Sequence, residues 1–186
     1  MIWRHVVPVC MLLLSPCATT AAEIDDFSGE WRGVEVSVAG DKQSLALIPA
    51  DLDMTITEHG DGFHIRALGV ARKPDGSLVP RPAEAAFGPT DTPGVFAFES
   101  TAGSLLTSLF ADPAVGNPLE GDTLLWARLA DDTLHVYSLA IDDRGGFLLD
   151  RSTAQLTGDG MVLSYVLRLE NDQIVTIDGR LERAGD

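Results

Sequence analysis

Cysteine is nearly absent from this chain. There are two, Cys10 and Cys17, both within the first 22 residues. Past that point no disulfide and no thiol chemistry is open to the chain, so a folded domain there is held by its core alone. Basic residues are scarce too. Lys plus Arg number 13 against 28 Asp plus Glu, a formal net charge of −15. Such a surface repels phosphate backbones and excludes nucleic acid as a partner. It also favours solubility and weakens adhesion to anionic membranes. Long apolar runs are missing: past the first 22 residues no stretch nears the roughly 20 residues of a spanning helix, so no transmembrane segment is expected. There is no Gly-x-Ser-x-Gly elbow, no phosphate loop, no dinucleotide fingerprint and no zinc spacing. Nothing in the sequence implies a cofactor.

The first residues read as a leader. Arg4 supplies a short positive region, 6–14 is an apolar stretch, and Thr20-Ala21-Ala22 ends it in small residues. That order predicts a secretory signal peptide over 1–22, cleaved after Ala22, and a periplasmic or secreted protein. "LLLSPC" also resembles a lipoprotein cleavage box with Cys17 as the lipidated residue, although Pro16 stands where a small residue is expected. A lipid there would tether the protein to a membrane.

Residues 23–186 read as one domain, almost all strand. Short alternating runs at about 31–38, 51–58, 62–70, 82–88, 94–100, 122–130, 133–141, 147–156, 161–170 and 174–183 are separated by Gly, Asp and Asn turns. Regular spacing of this kind predicts an all-β fold: an antiparallel, up-and-down β-barrel of about eight to ten strands. The 101–121 connection breaks the rhythm. Leu105, Leu106, Leu109 and Phe110 fall at helical spacing before Pro113, which predicts one short helix or lid there. A second long connection runs over 39–50.

Faces follow from register. With Asp131 and Asp132 as a turn, Trp126 faces Tyr137 and Arg128 faces His135. With Ile141 opposite Phe147, that face continues through Leu149 and Arg151. With Thr157 opposite Met161, it continues through Leu163 and Tyr165. This face carries the aliphatic set of the last strands, so the sequence places it inside. Trp126, Arg128, His135, Tyr137, Arg151 and Tyr165 would then line a cavity, with Leu125, Ala127, Leu129, Leu134, Val136 and Ser138, then Leu148, Asp150 and Ser152, on the opposite face. A buried guanidinium needs a carboxylate, water or an anionic ligand, and its planar fork matches a carboxylate. The alternative is that twist carries Arg128 and Arg151 to the rim, where they reach water.

"FSGEWRGVEVSV" resembles the Gly-x-Trp opening of lipocalin-like barrels, through Gly29, Glu30 and Trp31. The resemblance implies a barrel with Trp31 packed structurally at its closed end. It also implies an arginine from near the C-terminus over the tryptophan; Arg180 or Arg183 fits that role. Val34, Val36 and Val38 alternate as a buried set, which puts Trp31 on the other face unless Gly33 bulges. The "WARL…VYSL" centre is similar to small exported bacterial proteins of uncharacterised role, and brings no function.

The reading is therefore an exported, non-catalytic binding protein. It holds a small hydrophobic, amphipathic or fatty-acid-like ligand in a barrel cavity. One rival is an envelope interaction or inhibitor module with a filled barrel, its protein partner unspecified. Another is a barrel enzyme using His135 and Tyr137 as acid and base. His59 and His64, near Glu58 and Asp61, have metal-ligand residue types but sit at a hairpin, where turn chemistry accounts for them; no metal site is expected. The acidic turns at 131–132, 142–143 and 159 lack the spaced carboxylates of a calcium loop.

Overall fold

A computed structural model describes residues 22–40, 48–73, 75–99, 117–120, 122–141, 145–168 and 174–185. Cys10, Cys17 and nearly all of the expected leader lie outside the described residues. So do the middle of the 39–50 connection and, apart from 117–120, the expected helix or lid at 101–121.

After a single helical turn, α1 (Ile24–Phe27), ten strands follow among the described residues. They are β1 (Gly29–Gly40), β2 (Ile48–His59), β3 (Gly62–Arg72), β4 (Leu78–Pro89) and β5 (Val95–Glu99), then β6 (Leu124–Ala130), β7 (Thr133–Ile141), β8 (Phe147–Thr157), β9 (Gly160–Arg168) and β10 (Ile174–Arg183). A 3-10 turn at Pro118–Glu120 precedes β6. Each strand pairs antiparallel with its sequence neighbour, and β10 pairs with β1 to close the barrel. Closure leaves no unpaired edge, the feature that invites strand-on-strand aggregation. No helix among the described residues is long and apolar enough to cross a membrane.

The turns are short where the sequence is richest in Gly and Asp. His59 pairs with Gly62 across Gly60, which has φ +57°. Ala130 pairs with Thr133 across Asp131, at φ +54°. Asp tolerates the left-handed region better than most side chains do. These hairpins, with the β4–β5 and β8–β9 turns, cluster at one end of the barrel. The long connections, β1–β2 and β5–β6, join strands at the other end.

The tight-turn end is closed by packed side chains. Phe27, Trp31, Ile56, Phe63, Phe87 and Met161 are buried together there. Phe63 stacks on Phe87 at 5.0 Å between centroids and meets Phe96 edge-on at 5.0 Å. Each fully buried ring of this kind contributes roughly 2–3 kcal/mol through burial alone. Trp31 is fixed from two sides. Its Nε1 donates to the Phe27 carbonyl at 2.9 Å. The Arg183 guanidinium sits 4.6 Å above its ring. That same guanidinium donates to the carbonyls of Ser28 and Asp26, each at 3.0 Å.

The arginine over Trp31 is thus Arg183, not Arg180, which instead reaches Asp159 at 3.7 Å. Residues three apart in a strand lie on opposite faces, and Arg183 is the direct cross-strand partner of Trp31. A β-bulge between Gly33 and Glu35 shifts the register of β1 by one residue. It is the bulge that the alternation of Val34, Val36 and Val38 requires if Trp31 is to face inward.

Candidate functional site

The register of β6 to β8 agrees with the sequence reading. Trp126 pairs with Tyr137, Arg128 with His135, Tyr137 with Arg151, and Ile141 with Phe147. The facing does not agree. Leu134, Ala127, Ala154 and Asp150 are buried on the interior side, whereas Arg128 and Arg151 are exposed. Trp126, Arg128, His135, Tyr137 and Arg151 therefore stand on the outer face of the barrel, and only Tyr165 of the six points inward.

The cause is one residue in one turn. Thr157 pairs with Gly160, not with Met161, so Leu156 is the partner of Met161. The turn is two residues long, Gly158 and Asp159. Met161, Leu163 and Tyr165 face inward as expected, but the shorter turn joins them to Asp150, Ser152 and Ala154 instead of Leu149, Arg151 and Thr153. A slip of one residue exchanges the two faces of every strand beyond it. Gly160 explains why the chain turns so tightly. Its φ is +143°, and a Cβ there would lie 2.3 Å from the Leu181 carbonyl oxygen.

The interior face of β7 to β9 brings three polar groups together. Ser138 and Asp150 are cross-strand partners, and the Ser138 hydroxyl donates to Asp150 Oδ2 at 3.2 Å. Tyr165 pairs opposite Ser152, one inward position along, and its hydroxyl donates to the same carboxyl group. Asp150 is only 4% exposed, and its Oδ1 is buried with no hydrogen-bond partner. Burial raises the Asp150 pKa to about 6, against the smaller opposing pull of the two hydroxyl donors. Burial also pushes the Tyr165 phenol well above its ordinary range, helped by the neighbouring Asp150 charge. Tyr165 thus stays a hydrogen-bond donor at any physiological pH.

The outer face carries a separate group. Trp126 and Tyr137 stack at 5.0 Å with planes 9° apart, and His135 stacks on the same tyrosine at 6.0 Å. Burial first, then the charges of Arg151 and Arg128, hold the His135 pKa below its ordinary value. The imidazole is therefore neutral near pH 7. A double-mutant cycle on Trp126→Ala and Tyr137→Ala should show a coupling of about 0.5–1.5 kcal/mol in urea unfolding. A coupling indistinguishable from zero would contradict the stacked geometry.

His59 and His64 do not converge on one point. His59 Nε2 faces Glu99 at 3.5 Å and His64 Nε2 faces Glu84 at 2.8 Å, a carboxylate His64 shares with Arg66. Among the described residues no three His, Cys, Asp or Glu side chains are grouped as metal ligands.

Sequence reasoning missed Asp150 and Ser138. Their signal was present but weak. The other inward residues of β6 and β7, Leu125, Ala127, Leu134 and Val136, are small or aliphatic, so a serine and an aspartate on the same face stand out among them. No protein-family model matches the chain, and no curated protein matches it.

Proposed function

We propose that this protein is a non-catalytic carrier, exported by the leader read in residues 1–22, that holds a small and mostly apolar molecule inside a lipocalin-like barrel. One observation carries the reading. Inward-facing side chains toward the long-connection end, among them Leu52, Leu125 and Ile177, are only half-buried, although the barrel around them is closed. A filled ten-stranded barrel would bury them as completely as it buries Phe63 and Phe87. Apolar walls with a few convergent polar groups are the usual make-up of a small-molecule site. Here those groups are Asp150, Ser138 and Tyr165. The Trp31–Arg183 stack at the closed end supports the lipocalin-like class. An acidic ligand head loses its support, because Arg128 and Arg151 point outward.

The test is native mass spectrometry of the protein purified without detergent and exposed to a mixture of C12 amphiphiles. The expected result is a one-to-one adduct that denaturation releases. Ala140→Trp, which adds bulk on the interior face beside Ser138, should abolish the adduct; Trp126→Ala, on the outer face, should keep it. Adducts equally strong in all three proteins would place binding outside the barrel.

The outer face favours a second reading, a protein-interaction module. Leu124 and Phe147, on the same outer face as the Trp126–Tyr137 stack, are 40% and 47% exposed. Under that reading Arg128→Ala with Arg151→Ala weakens capture of a partner and leaves small-molecule uptake unchanged.

A further inference from the structure

We infer that the interior site selects a primary amine at the head of its ligand, with the ammonium seated on Asp150 Oδ1. The inference rests on the carrier reading above and adds the chemistry of the head group.

Three observations lead there. The first is the unmet acceptor. Oδ1 is a carboxylate oxygen shielded from solvent and without a donor, and a buried acceptor left unmet is costly. The second is the arrangement of the other oxygen and its neighbours. Ser138 donates to Oδ2, and Tyr165 donates to the same carboxyl group. Both hydroxyls thus spend their protons on Asp150. They hold the carboxyl as an acceptor aimed at whatever approaches, and the other inward hydroxyl beside them, Ser152, carries no charge to offset a carboxylate ligand. The third is charge. Burial and the two hydroxyls account for the state of Asp150, and no cation contributes. The arginines on the neighbouring strands do not supply one: Arg128, Arg151 and Arg168 are exposed on the outer face, Arg180 reaches Asp159, and Arg183 is occupied at the closed end.

An ammonium supplies what is missing. It brings three donors and no acceptor, and a charge-assisted hydrogen bond is about twice as strong as a neutral one. A hydroxyl brings one donor and no charge. A carboxylate brings like charge to an acid that has no cation beside it. Head groups therefore rank amine first, alcohol second and carboxylate last.

The experiment uses three probes of equal chain length, dodecylamine, dodecanol and dodecanoate, titrated into the whole protein at pH 7.5 below their aggregation limits. Isothermal calorimetry is run at low and at high salt. The expected result is binding of the amine about tenfold to a hundredfold tighter than the alcohol, with the carboxylate weakest. Asp150→Asn should remove the amine's advantage while alcohol binding persists. High salt should leave most of the advantage in place, because screening acts on exposed charge and little on a buried pair. A preference that high salt abolishes, or that Asp150→Asn leaves intact, would assign it to the chain's overall negative charge and overturn the inference. Binding of dodecanoate as tight as that of the amine overturns the head-group assignment and leaves the carrier reading standing. Binding of none of the three overturns both.

Discussion

Replacing Asp150 with asparagine raises the melting temperature at pH 8, and most of the gain is gone by pH 4. The change is isosteric: it removes the charge and turns one acceptor oxygen into an amide donor, while the remaining oxygen can still accept from Ser138 and Tyr165. In the fold, burial lifts the Asp150 pKa to about 6 from its ordinary value of 3.8. The native state therefore holds its proton more tightly than the unfolded chain does, and stability falls as pH rises between those two values. Well below pH 3.8 the carboxyl is neutral in both states and the cost is gone. Above pH 6 the full cost is present, about 3 kcal/mol at 1.36 kcal/mol per pH unit. For a chain of this size the asparagine variant should melt roughly 6–12 °C higher at pH 8. Asp75 and Asp132 act in the opposite sense. Hydrogen bonds, foremost from Ser77 to the one and from Gln155 to the other, lower their pKa values, so their contribution is lost as pH falls. Because both proteins carry those two groups, the difference between wild type and variant isolates Asp150. A melting difference that is the same at pH 4 and pH 8 would refute the assignment.

A residue that weakens the fold above about pH 6 needs a reason outside the fold. Strain and unmet polarity are tolerated where function uses them. An ammonium on Oδ1 would convert the unpaired charge into a paired one and draw the Asp150 pKa back down. Ligand and fold are then coupled: binding stabilises the native state in the usual mass-action way, and more strongly at pH 8 than at pH 5.

The strands were legible in the sequence and their facing was not. Period-two alternation, punctuated by Gly, Asp and Asn, set all ten strands and the hairpin pairs Trp126–Tyr137 and Ile141–Phe147. Those signals depend only on local chemistry. Facing depends on a difference between two sides, and β6 to β8 offer little. Leu125, Ala127 and Leu129 are about as apolar as Trp126 and its neighbours, and Leu148, Asp150 and Ser152 mirror Leu149, Arg151 and Thr153 in polarity. The decision then passed to the 158–160 turn, where two-residue and three-residue loops both suit the composition. The shorter loop moved the whole candidate site from the Arg128–Arg151 face to the Asp150 face. The choice between Arg180 and Arg183 failed in the same way, since only the bulge between Gly33 and Glu35 fixes which arginine shares a face with Trp31.

Trp31→Ala should be the most damaging single change, lowering unfolding free energy by about 3–5 kcal/mol in urea titration. Trp31 is 3% exposed in the closed-end core, so truncation opens a cavity where Phe27, Met54 and Leu181 also pack. It also removes the donor to the Phe27 carbonyl and the surface under Arg183. Arg183→Ala should cost less, about 1–3 kcal/mol, because the guanidinium is partly solvated while it stacks on Trp31 and ties down the Ser28 and Asp26 carbonyls. Arg183→Lys keeps the charge but has no planar fork to hold two carbonyls and a ring at once, so it should recover less than half of that loss. A Trp31→Ala cost below 1 kcal/mol would mean that the closed end is not packed as described. The two ends should also be independent. Asp150 lies toward the Phe147 end of β8, away from Trp31, and the two share no described partner. Asp150→Asn combined with Trp31→Ala should therefore sum to within about 0.5 kcal/mol of the single changes. Independence of this kind lets one end of the barrel carry an uncompensated charge, because the cost is met by packing at the other.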